Sequence, residues 1–275
     1  MADKIFWHMK DKTEVGEALF SEVSRIKQEQ RERFNRNIRC MKLYGSFDYS
    51  GLFPSAMMQQ NTFLPENRVR YNLIASCVDT ICSKISKLRT KVSFLTSGGA
   101  WEAQQKSKML TKFMLGMFST NDVWKLHQKV FKDSVIFDLG ALKHYRIGNR
   151  ILSERVIATE LHFDLVDSVY GDPKLLYQTK NVDKSTLIGM FPAKKKVIAA
   201  ASVDADPYTP ILIDLDGQAT VVEAWKLPSV PGGDDGRHVI TCSSGSLADE
   251  PWVHDDFPFT FMRWTDMPVG GIANP

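Results

Sequence analysis

The chain has 275 residues, 43% apolar and 24% charged, enough to bury a substantial core and too apolar for long disorder. Thirty-five Lys and Arg stand against 32 Asp and Glu, a formal +3, so the sequence as a whole lacks the basic excess of a tight, general DNA binder. Four cysteines without a C-x-x-C pair, a charged N-terminus and the lack of long apolar runs predict reduced thiols, no signal peptide and no membrane span.

Thr13 to about Met41 predicts one long helix. Val15, Leu19, Val23, Ile26, Gln30, Phe34 and Ile38 recur at helical spacing, opposite the charged run "KQEQRERFNR". The stripe is narrow, which suits a helix lying across a neighbour better than one inside a core. The following stretch to about residue 68 has no period and reads as a connector pinned by Tyr44, Phe47, Phe53 and Phe63. Asn72 to Leu88 predicts an amphipathic helix with Ile74, Cys77, Val78, Ile81, Ile85 and Leu88 inward. Asp79, Ser83, Lys84 and Lys87 face outward. "KVSFLT" reads as a short strand turning at Ser97-Gly98-Gly99. Helices are expected over Trp101–Phe118 and, after an Asn121/Asp122 cap, through Trp124, Leu126, Val130 and Phe131.

From Gly140 the period changes to two. "ALKHYRI", Gly148-Asn149 and "RILSERVI" predict a β-hairpin. A strand through Leu161–Asp164, a turn at Tyr170–Pro173, the strand "KLLYQT" and a helix capped by Asp183 and stopped at Pro192 follow. "TPILIDL", Asp216-Gly217 and "QATVVEAWKL" predict a second hairpin, and "RHVITC" and "FPFTFMRW" further strands. The expected class is α+β, long helices first and antiparallel hairpins after. Three segments are expected, 1–64, 65–200 and 201–275.

Two acidic motifs invite a chemical reading. "ILIDLDG" resembles the nucleophile motif of haloacid dehalogenase-like, Mg-dependent phosphatases, in which Asp214 would attack phosphate and Asp216 serve as acid and base. Gln218 stands where that family has threonine, and only about sixty residues follow Gly217. Asp-Gly between two alternating runs is also the ordinary hairpin turn, and that reading is preferred. His162, Asp164, Asp167 and Asp172 lie close in sequence, but Asp is the residue expected where strands stop and turns start. No metal is assigned to them. Phosphate-loop, nucleophile-elbow and zinc-helix motifs are absent. Lys194-Lys195-Lys196 reads as a solvated helix face, and Trp225, Trp252 and Trp264 as core or interface. No catalytic, cofactor or metal site is predicted, and the chain is expected not to be an enzyme.

Several segments together carry a resemblance. "RYNLIASCVDTICSKISKLRTKVSFLTSGGAWEAQQKSKML", "RVIATELHFDLVDSVYGDPKLLYQTKNVDKSTLIGMFP", "VVEAWKLPS", "DGRHVITCSSGSL" and "DEPWVHDDFPFTFMRW" follow in order. Over about residues 65 to 275 they resemble portal proteins of tailed, short-tailed bacteriophages. The resemblance implies a wing-like α+β fold and a dodecameric ring at the portal vertex of the virion, assembled in the host cytoplasm. Double-stranded DNA would pass through that ring during packaging and ejection, and terminase, capsid and tail adaptor proteins would dock on it, with no membrane involved. A modest net charge suits such a conduit. The family's stem helix is expected after "VGGIANP", so the chain corresponds to the N-terminal wing. Ring contacts are head-to-tail, and Val23, Ile26 and Phe34 are the candidate subunit-interface residues, with Arg31, Glu32 and Arg33 at the rim. A non-viral interaction domain is the remaining alternative.

Overall fold

The computed structural model describes residues 6–45, 71–85, 87, 92–96, 98–164, 167, 173–204 and 217–265. Within them the chain mixes helices with antiparallel sheets, the α+β class expected. Contacts group it into two units, each discontinuous in sequence. Unit 1 comprises Met1–Tyr71, Ile157–Phe257 and Thr265–Pro275, and unit 2 comprises Asn72–Val156 and Pro258–Trp264. This differs from three contiguous segments divided at 64 and 200, because each unit is completed by chain remote in sequence.

In unit 1, α1 (Val15–Glu29) and α2 (Arg31–Gly45) replace the single helix expected. The break is one residue, Gln30, whose side-chain amide turns inward and donates to the Phe163 carbonyl. It is shallow, since the Phe34 N–H still donates to the Gln30 carbonyl. Five strands, β3 (Leu161–Phe163), β4 (Leu175–Asp183), β5 (Gln218–Lys226), β6 (Arg237–Cys242) and β7 (Gly245–Pro251), form an antiparallel sheet in that order. Strand alternation sends Val222 and Ala224 of β5 to one face, where they pack with Leu19, Val23 and Ile26 of α1. Ala219 and Val221 point the other way, against Leu187 of α6 (Lys184–Met190) and Ile198 of α7 (Lys195–Ala200). A strand covered on both faces accounts for the weak polarity of "ATVVEAW". The N-terminus is tied to this sheet: Trp7 Nε1 donates to Tyr177 Oη at 2.9 Å, and Arg237 donates to the carbonyls of His8 and Lys10 while pairing with Asp249.

Strand β5, the second arm of the second predicted hairpin, pairs along its whole length with β4 on one edge, and its Val221–Lys226 pair with β6 on the other. Residues 209–215, the expected first arm, and Asp216 lie outside the described residues, as do the connector 46–70 and most of the Tyr170–Pro173 turn. Asp183 occupies the N-cap position of α6 without a side-chain capping bond.

Unit 2 is built on a three-stranded antiparallel sheet, β2-β1-β8, made of β1 (Leu139–Ile147), β2 (Arg150–Val156) and β8 (Phe259–Arg263). The predicted first hairpin is present, with Gly148 at φ +58° on its turn, where a side chain would be strained. Helix α5 (Val123–Phe137) packs on the sheet, and α3 (Leu73–Ile85) and α4 (Trp101–Thr120) both contact α5. The close approach is at Gly140, where a Cβ would lie 2.2 Å from the Val130 carbonyl oxygen. Asp133 of α5 pairs with Arg155 of β2 through two bonds of 2.5 and 2.6 Å.

Three local expectations change in unit 2. Asp122 sits before α5 in a left-handed conformation and makes no cap; its carboxylate instead meets Lys125 at 3.0 Å. Residues 92–96 form no strand, and Phe94 is held by Ser107 and Thr111 of α4. Helix α3 is where expected, yet no residue on it is buried: Val78, Ile81 and Ile85 are half-covered, and Ile74 and Cys77 are exposed.

Candidate functional site

The residues proposed for a subunit interface are covered by the chain itself. Val23, Ile26 and Phe34 are at most 2% exposed, the first two within the α1–sheet core. Phe34 rests against the His162 ring, with centroids 5.5 Å apart. The stripe that reads as narrow is widened by Glu22, Lys27, Arg33, Asn35 and Asn37, all buried as well. The correction is physical: a sheet of unit 1 already occupies this face, so no second copy is needed to cover it. Arg33 leaves the rim for the interior. Its guanidinium donates to the Leu161 carbonyl at 2.6 Å and the Ala158 carbonyl at 3.3 Å, and burial, with Arg36 nearby, lowers its pKa to about 9.

The acidic segment does not assemble a metal centre among the described residues. His162 is 1% exposed, and neither ring nitrogen has a hydrogen-bond partner there. Burial, reinforced by Lys27 and Arg33, holds the imidazole well below its ordinary pKa. The ring packs against Phe34, and Asp164 is only half-buried. Asp172 and Asp214 lie outside the described residues, and Asp167 is exposed. No group of three or more His, Cys, Asp or Glu among the described residues is placed to share an ion. Cys40 and Cys82 are half-covered thiols raised chiefly by desolvation, and Cys242 is buried.

What remains open lies on unit 2. Helix α4 runs twenty residues with none buried, and it exposes Trp101 at 72%, Met109 at 69% and Phe113 at 58%. Leu110 continues this stripe, and Ile147 and Ile151 are exposed beside the hairpin turn. Between the end of α4 and the hairpin runs a groove lined by Phe113, Met117, Ile151 and Leu152. Asn121 spans it, its Nδ2 donating to the Ile151 carbonyl at 2.9 Å. The surface is exposed and largely apolar. The sequence held one signal for it: "KMLTKFMLGMF" alternates lysines with apolar residues too densely for one covered face.

The tryptophans expected in core or interface fall into two further clusters. Trp225 stacks on His238 at 5.2 Å, His238 Nε2 lies 2.9 Å from Glu223, and Trp252 meets the same imidazole edge-on, which places two of the three noted tryptophans on one face of unit 1. Trp264 instead meets Phe131 within unit 2. Among the described residues no helix is long and apolar enough to cross a membrane. No protein-family model and no curated protein matches the chain.

Proposed function

We propose that the chain is a structural subunit of a homo-oligomeric assembly, the portal ring of a tailed bacteriophage, to which it contributes the wing. One observation carries the assembly: α3 and α4 of unit 2 bury no residue, and α4 presents Met109, Leu110 and Phe113 in one exposed stripe. Contiguous exposed apolar side chains on a folded chain mark contact with another macromolecule. Ring contacts are heterologous, so each subunit offers two different surfaces, and this stripe is one of them in place of Val23, Ile26 and Phe34. The ordered segments quoted above supply the family. In that role DNA is a passenger, terminase and tail adaptors are docking partners, and no residue has a catalytic task.

The purified protein is expected to give discrete rings in negative-stain images and a single large mass by light scattering. A strictly monomeric protein would defeat this function. Met109→Asp/Phe113→Asp changes only exposed positions, so the fold is retained and the rings are expected to dissolve. Normal rings from that variant would move the contact off α4.

A further inference from the structure

Charge is divided unevenly between the two units. Unit 2 holds fifteen Lys and Arg against six Asp and Glu, a formal +9 in 92 residues, while the other 183 residues carry −6. The near-neutral +3 of the whole chain conceals a strongly basic body. The helices carry seven of the fifteen: Lys84 on α3, Lys106, Lys108 and Lys112 on α4, and Lys125, Lys129 and Lys132 on α5. The three on α5 recur at i, i+4 and i+7 and therefore share a face. With Gln128 of α5 and Cys82 and Ser83 of α3 they line a groove of about 360 Å³.

We propose that this α3–α5 groove binds the phosphate backbone of a nucleic acid, without reading its bases. Three observations favour that occupant over other anions. Seven residues of helix rise about 10.5 Å, which faces about three successive phosphates of one strand at 3.4 Å of axis each. The groove is lined by lysines, an amide, a hydroxyl and a thiol, with no aliphatic or aromatic side chain to receive a lipid tail or an apolar peptide anchor. Two carboxylates at its margin sit in exposed pairs, Asp79 with Lys132 at 2.9 Å and Asp122 with Lys125 at 3.0 Å, on side chains 37–74% exposed, while Asp133, which also acts on Lys132, is buried and bonded to Arg155. Ion pairs this exposed are worth about 0–1 kcal/mol, so a phosphate displaces them readily. The inference stands apart from the portal assignment, since it rests on one unit and its test counts no subunits.

The test is fluorescence anisotropy of the full chain with a labelled 30-base-pair DNA duplex of arbitrary sequence and with one of its single strands. Binding to either supports the groove, and the tighter of the two identifies the form of nucleic acid. Three phosphate contacts on duplex give a log–log salt slope of about −2.7, an affinity loss of about 40-fold between 50 and 200 mM salt. Lys125→Gln/Lys129→Gln/Lys132→Gln is expected to weaken binding at least ~10-fold at 50 mM salt and to flatten that slope. Lys194→Gln/Lys195→Gln/Lys196→Gln makes the same charge change on unit 1 and is expected to stay within about 2-fold. Circular dichroism checks that the first triple is folded; if it is not, Lys125→Gln/Lys129→Gln, both exposed, replaces it. No binding at 50 mM salt, or equal loss in the two triples, would overturn the proposal. So would a labelled polyglutamate peptide bound as tightly as the DNA, which would assign the groove to an acidic protein instead.

Discussion

Arg33 is 4% exposed, yet its guanidinium satisfies two main-chain carbonyls and lies over the Phe163 and Phe34 rings at 4.7 and 5.1 Å. Arg33→Ala strands both acceptors and leaves a hole, so a loss of about 2–4 kcal/mol is expected from urea denaturation. Arg33→Lys is expected to recover only part of it, because an ammonium lacks the flat fork that sits between two rings and two carbonyls. His162 makes a pH-dependent contribution. Its folded pKa is depressed, so the unfolded chain takes up a proton near pH 6.5 that the native state refuses. Stability is therefore full above about 6.5 and falls on acidification by up to about 1.4 kcal/mol per pH unit, until the folded pKa is reached. His162→Phe is expected to flatten the difference between denaturation midpoints at pH 7 and pH 5; an unchanged difference would show that another group sets it. Phe34→Asp buries a charge in the unit 1 core and is expected to unfold the chain, so it reports on stability and not on assembly.

Helix α5 and strand β1 meet so closely at Gly140 that no side chain fits. Gly140→Ala would drive its methyl into the Val130 carbonyl and is expected to lower the melting temperature by several degrees, equivalent to about 1–3 kcal/mol. Nothing in "DLGAL" announces this contact, because the residue it meets lies ten positions earlier on another element. Elements set by local chemistry were legible. The α1–α2 stripe, α3, α4 and the Gly148-Asn149 hairpin follow from period and turn residues, each within a few positions. What covers an element was not legible. The apolar face of α1 and that of α3 have similar spacing, but Val23 is buried by a sheet more than a hundred residues away and Ile81 is only half-covered. Ile81→Ala is accordingly expected to cost about 1 kcal/mol, not the 2–5 typical of a full core position. The same limit holds for β5: a strand of suitable pattern does not say that β4 and β6 are the neighbours at its edges. The candidate interface moved to α4 for this reason, since period marks an apolar face and only the fold shows whether it is already spoken for.

Across the whole molecule, two units of opposite charge are joined in one nearly neutral chain, so bulk charge is a poor guide to what either unit binds. The order of the units along the chain has a further consequence during synthesis. Unit 2 is inserted between the first helices of unit 1 and the strands that cover them, and unit 2 in turn lacks β8 until Arg263 has emerged. At about 5–20 residues per second, the apolar side of α1 leaves the ribosome roughly 10–40 s before β6 arrives to cover it. The nascent chain thus carries a bare hydrophobic helix through most of its translation, an obvious handle for a chaperone. A product terminated before Leu175 lacks every strand of that cover and should aggregate.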